Sequence, residues 1–130
     1  MSKQAIGGQF TIGSGVKLPF SRAMRAGDLV FVSGQMATDA SGRVIDGGIE
    51  AQTRQVFANI QATLAEAGCT LADVVKCTCW IDDARDFGRF NATYAEFFPT
   101  DPPARSTTVC QLVLAGKLEV EAIAYKESFA

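Results

Sequence analysis

The chain has 130 residues, 48% of them hydrophobic and 20% charged, with 12 basic against 14 acidic side chains and no histidine. That length fits a single domain, numbered 1–130, hiding roughly 68% of its unfolded surface, and the composition is that of an ordinary globule. Without histidine there is no Ser-His-Asp or Cys-His nucleophile and no His-ligated metal, and the net charge of −2 includes no basic stripe for a phosphate backbone.

The opening Met1 to Gly15 is rich in Gly, Ser and Thr and lacks the continuous apolar stretch of an export signal. No run reaches the ~18 apolar residues of a membrane span. Residues 1–18 are therefore expected as a loosely ordered arm without a phosphate-binding fingerprint, on a cytoplasmic protein with no membrane contact.

Phe20 to Arg25 and Leu29 to Ser33 read as a hairpin, with Ala26-Gly27-Asp28 as turn and Ser33-Gly34-Gln35 closing the second strand. A short strand is expected near Arg43 to Ile45. From Ile49 to Ala67 the period becomes helical, with Ile49, Thr53, Val56, Phe57, Ile60 and Leu64 on one stripe and Gly68 as the stop. Val74 to Ile81 is β-branched and aromatic, a strand. Asp82-Asp83 then caps a second helix, Ala84 to Phe98, striped by Phe87, Phe90, Tyr94, Phe97 and Phe98 and ended by Pro99. Ala104 to Val113 and Lys117 to Lys126 are the last strands, joined around Leu114-Ala115-Gly116.

The order β-β-(β)-α-β-α-β-β predicts an α/β (α+β) two-layer sandwich: a mixed sheet of about six strands with both helices on one face. Two helices cannot cover both faces, so the bare one predicts a homo-oligomer. Cys69, Cys77, Cys79 and Cys110 are expected as free core thiols, since Cys77-Thr78-Cys79 lacks the C-x-x-C spacing and no histidine completes a metal set.

Alternation puts Arg105, Thr107, Val109 and Gln111 on one strand face, and Glu119, Glu121 and Ile123 on one face of the last strand. Both polar sets are expected to point away from the helices. A tight turn near Ala115 would set Arg105 opposite Tyr125, about six positions or roughly 20 Å from Glu119 at ~3.3 Å each. Either the two are unrelated surface charges or a site joins them across a subunit boundary.

Several ordered blocks carry a resemblance. They are Val32-Ser33-Gly34-Gln35, Gln52-Thr53-Arg54-Gln55, Asn59, Ala67-Gly68, Asp73-Val74-Val75-Lys76, Asp86-Phe87, Asn91-Ala92-Thr93-Tyr94, Phe97-Phe98, Pro103-Ala104-Arg105-Ser106 and Leu118 to Ala124. From about Pro19 onward the chain resembles the RidA (YjgF/YER057c/UK114) family of reactive-intermediate deaminases. The resemblance implies a chorismate-mutase-like fold and a homotrimer with sites at its subunit interfaces. It implies hydrolysis of 2-imino acids and their enamines to 2-oxo acids and ammonia, without metal or organic cofactor. At matching positions, Arg105 binds the substrate carboxylate and Glu119 positions water. Ser33 and Asn91 fall at pocket positions, and Gly34 and Thr107 give backbone contacts. The chain departs from the pattern at Phe20, where the family commonly has an aromatic hydroxyl, and over Thr107 to Gln111. Glu121, on the same face as Glu119, is a rival for its role.

The chemistry suits these residue types. A guanidinium holds a carboxylate by two parallel hydrogen bonds, and imine carbon is electrophilic enough to need positioned water rather than a covalent nucleophile. Two other readings are a non-catalytic metabolite-binding trimer, which needs Arg105 but not Glu119, and an endoribonuclease or translation inhibitor, which the acidic balance disfavours.

Overall fold

The computed structural model describes residues 2–12 and 14–127. Eight elements form it: β1 (Gln4–Thr11), β2 (Lys17–Ala26), β3 (Leu29–Gln35), α1 (Ile49–Glu66), β4 (Val74–Ile81), α2 (Phe87–Ala95), β5 (Ala104–Val109) and β6 (Leu118–Tyr125). The strands make one sheet in the order β1-β2-β3-β6-β4-β5. All neighbours are antiparallel except β4 and β5, which run parallel. This is the open mixed α+β sheet with two helices that the alternating periods predict.

Local chemistry explains most of the boundaries. Gly27 takes φ 59° in the turn between β2 and β3, and pairing starts at once with Ala26 opposite Leu29. Gly68 ends α1 at φ 76°, while its N–H donates to the Ala65 carbonyl and that of Cys69 to Leu64. That paired closure satisfies two helix-end carbonyls and needs a left-handed residue between them. Apolar residues of α1 and of the helix-facing sides of β3, β4 and β6 form the core, in which Phe57 is fully buried. Its ring packs edge-on to Tyr94 and Phe98 and stacks on Phe97 at 4.9 Å. Cys69, Cys77 and Cys79 are buried free thiols, and Cys110 is partly exposed.

Four expectations need correction. Part of the leader expected as a loose arm is β1, which pairs with β2 from Gln4 opposite Arg25 to Thr11 opposite Lys17. The strand near Arg43 to Ile45 is a single bridge between Thr38 and Val44. The second helix begins later than expected: Asp83 accepts from the Arg85 N–H and caps a 3-10 turn over Ala84–Asp86, and α2 follows at Phe87. The last two strands are not neighbours. α2 carries the chain across the sheet, so β5 returns parallel to β4 on its outer side, and β6 inserts between β3 and β4. A short turn at Ala115 suggests a hairpin only while the crossover helix is ignored.

The sheet face away from the helices carries a row of Met24, Phe31, Ile123 and Lys76 on four successive strands. Phe31 is 42% exposed, Leu29 36% and Tyr125 43%. Apolar surface of that extent on one sheet face is the kind normally covered by another molecule. No helix among the described residues is long and apolar enough to cross a membrane.

Candidate functional site

Arg105 and Glu119 anchor two half-sites on opposite faces of the sheet. Arg105 pairs with Cys77 and Thr107 with Cys79, both thiols being in the core beneath the helices. Arg105 and Thr107 therefore point to the helix side, which corrects the expectation that this polar set faces away. The cause is the position of β5 at the sheet edge, where α2 overhangs it. One Nη of Arg105 donates to Asn91 Oδ1 at 2.7 Å. The guanidinium carbon lies 4.7 Å from the Tyr94 ring centre, 5.3 Å from Phe90 and 5.7 Å from Phe87. Aromatic faces attract a guanidinium without neutralising it. No carboxylate among the described residues pairs with it.

Beneath the arginine, Thr107 Oγ1 is buried without a hydrogen-bond partner in the structure, and the buried Tyr94 hydroxyl has only the Cys77 thiol beside it. Burial, more than the neighbouring Cys77, pushes the Tyr94 hydroxyl far up. It likewise pushes the Cys79 thiol up to about 12 and raises Cys77. These thiols stay protonated and are poor nucleophiles.

The second half-site lies where β3 is irregular. Val32 pairs with Ala122 and Gln35 with Val120, so Ser33 and Gly34 bulge opposite the single residue Glu121. Bulges re-aim side chains beside sites. Ser33 Oγ donates to the Ser21 carbonyl at 2.6 Å and ties the bulge to β2. Gly34 leaves room for Glu119: a methyl built there would overlap the Glu119 carboxylate. Glu119 is opposite Trp80 on β4, and its carboxyl is raised above the usual range, first by burial and second by the charge of Glu121. Such a group holds and releases protons closer to neutrality than a free carboxylate. Phe20 is 42% exposed and stacks on Phe10 at 5.6 Å.

Within one chain the half-sites do not meet. Arg105 and Glu119 flank β4 at Cys77 and Trp80, three positions or roughly 10 Å apart along the strand, and emerge on opposite faces. The hairpin expectation gave separation for the wrong reason. Phe87, Phe90 and Tyr94 read in sequence as core stripe, yet they also cage the arginine. The available signal was Asn91, whose helical neighbours at i−4 and i+3 are Phe87 and Tyr94. Among the described residues no group of three or more Cys, Asp or Glu could hold a metal ion.

An open six-stranded mixed sheet with two helices and a β-bulge beside a half-buried glutamate places the chain among small α+β proteins. The chain belongs to the RidA (YjgF/YER057c/UK114) family, whose family model, described as Endoribonuclease L-PSP, matches residues 15–126. It is 44% identical over 111 residues to a RutC family protein of Pyrococcus horikoshii, covering 84% of this chain and 88% of that one. It is 37% identical over 108 residues to the 2-iminobutanoate/2-iminopropanoate deaminase of Bos taurus, covering 82% and 79%. Among solved structures, yeast Mmf1 superposes with a TM-score of 0.87 at 31% identity, over 97% of this chain and 100% of that one.

Proposed function

We propose that this chain is a cytoplasmic homotrimeric deaminase that hydrolyses 2-imino acids, and the enamines that tautomerise to them, to 2-oxo acids and ammonia. The observation that carries the reading is Arg105: a cation oriented by Asn91 and three aromatic rings, with no carboxylate of its own among the described residues. A substrate carboxylate completes it through two parallel hydrogen bonds and fixes the plane of the C=N group. The apolar sheet face is covered by neighbouring copies, which brings the bulge of one protomer beside the β5 edge of the next. The site is then shared, with Arg105, Asn91 and Thr107 from one chain and Ser33, Gly34, Glu119 and Phe20 from its neighbour.

In that cleft Glu119 takes a proton from a water whose oxygen attacks the imine carbon. The same carboxyl passes that proton to the imine nitrogen to give the neutral carbinolamine. It then takes the hydroxyl proton and delivers it to the nitrogen as C=O forms and the C–N bond breaks, so that both protons of the water leave with ammonia. A carboxyl raised by burial suits both directions of transfer. Support comes from the deaminase name of the bovine relative and from the family to which the chain belongs.

The test generates 2-iminobutanoate in situ with an amino-acid oxidase and follows its disappearance with and without the protein. Acceleration lost in Arg105→Ala is expected, and an unchanged rate with the unaltered protein refutes the reading. Sedimentation at micromolar concentration should give a trimer, and a pure monomer would remove the shared site.

A further inference from the structure

A second concavity, of about 700 Å³, lies on the helix side of the sheet between the end of β1, the loop after β3 and the outer half of α1. Most of its polar lining is already engaged. Asp39 accepts from the N–H groups of Ser41 and Arg43 and from the Ser41 hydroxyl. Gln55 and Asn59 donate to the Thr38 carbonyl, and Asn59 also to that of Met36. Thr63 donates to the Asn59 carbonyl.

Arg22, Glu66 and Gln35 are among the lining residues that remain. Arg22 lies over the Phe10 ring, its guanidinium carbon 4.6 Å from the ring centre. Glu66 comes down from α1 on the opposite side. Gln35, 1% exposed on the floor, has an Nε2 without a partner in the structure. Arg22 and Glu66 converge on Gly7: a Cβ placed there would lie 2.7 Å from Glu66 Oε2 and 3.0 Å from Arg22 Cδ. Yet they form no ion pair within the described residues. Gly7 has φ 75°, a backbone that favours glycine, and its lack of a side chain lets both groups come down onto the strand.

Opposite charges held near each other but unpaired suit a ligand that carries both complements a bond or two apart. We propose that this groove binds a free α-amino acid as its zwitterion. Arg22 takes the carboxylate, with Gln35 Nε2 as second donor after a small turn of its amide, and Glu66 takes the ammonium. The side chain lies against Phe10 and Ala62. Gln35 directly follows Gly34, against which the Glu119 carboxylate packs, so occupancy of the groove bears on the bulge that shapes the proposed catalytic half-site. The groove itself contains neither Arg105 nor Glu119, and binding there stands or falls separately from imine hydrolysis.

The experiment is calorimetric titration of the full-length protein with L-leucine, L-leucinamide and 4-methylpentanoate, which carry both charges, the ammonium alone and the carboxylate alone. Saturable leucine binding is expected, at least ~10-fold tighter than either truncated ligand, as two charge-assisted contacts require. Arg22→Gln and Glu66→Gln should each weaken it ~10-fold or more, whereas Arg105→Ala should leave it unchanged. No saturable leucine binding, equal binding of 4-methylpentanoate, or loss of binding in Arg105→Ala would each overturn the proposal. The ligand series on the unaltered protein decides the matter even if a variant folds poorly.

Discussion

The two half-sites are built to different degrees of completion. Around Arg105 the chain supplies everything that orients the cation: an amide acceptor on α2, three rings, and a backbone fixed by pairing with β4. Around Glu119 it supplies little, a glycine that gives way and a second carboxylate that repels. A side chain that is already oriented loses little freedom when its ligand arrives. A carboxyl whose proton affinity is raised above the ordinary range can both accept a proton from water and return it. On the proposed function, one half is arranged for binding and the other for proton movement.

Removing the binding half should have the largest effect. Arg105→Ala is expected to lower kcat/KM for 2-iminobutanoate by at least ~100-fold, since a hydrogen bond to a charged group is worth roughly 1.5 kcal/mol or more and two are lost. Circular dichroism should be unchanged, because the side chain makes no structural ion pair among the described residues. A loss confined to kcat with KM untouched would place Arg105 in the chemistry and break the division between halves.

The proton-transfer half gives a smaller, pH-dependent effect. Glu119→Gln should lower kcat by the ~10²-fold or more that general acid–base groups contribute, with KM little changed. It should also stabilise the fold at neutral pH. The native carboxyl is raised above its unfolded value, so between the two values the native state binds more protons and stability falls as pH rises through that window. Glutamine carries no such loss. Thermal melting should therefore show Glu119→Gln above the parent at pH 7, with the gap closing as pH falls toward the ordinary carboxylate value. A constant gap would mean that charge is not the cause.

Gly34→Ala sharpens the geometric side of the same half. The added methyl overlaps the Glu119 carboxylate, and overpacking of this kind costs typically ~1–3 kcal/mol. A lower melting temperature is expected, and the double variant with Glu119→Ala should recover most of it. No recovery would locate the strain in the backbone instead.

How much of this was legible in the sequence follows the same divide. The helix α1, its Gly68 stop and the β2–β3 hairpin are local, written in period and turn chemistry, and they fall where expected. The partner of β5 is not local. Whether it pairs with β4 or β6 depends on where α2 delivers the chain, and alternation within Ala104–Val109 looks the same either way. The face of Arg105 was misread for that reason. β1 was missed because Gly7 and Gly8 break its alternation at φ 75° and 70°, and register shifts there replace a regular ladder. Arg105 and Glu119 themselves came from the ordered family blocks, since residue types alone left them as two surface charges.

Phe20 offers the finest probe. Its ring is stacked on Phe10 and exposed, so Phe20→Tyr adds one hydroxyl at a solvent-facing edge without repacking the interior. If that edge borders the shared cleft, the hydroxyl supplies one neutral hydrogen bond to substrate or water, worth ~1 kcal/mol. Activity on 2-iminobutanoate should then rise about fivefold. The gain should vanish in Glu119→Gln if the hydroxyl acts on the water that Glu119 holds, and persist if it acts on the carboxylate that Arg105 holds. A hydroxyl that changes nothing in either background would put Phe20 outside the cleft, as a cover for Phe10 and the flank of the β1–β2 pair.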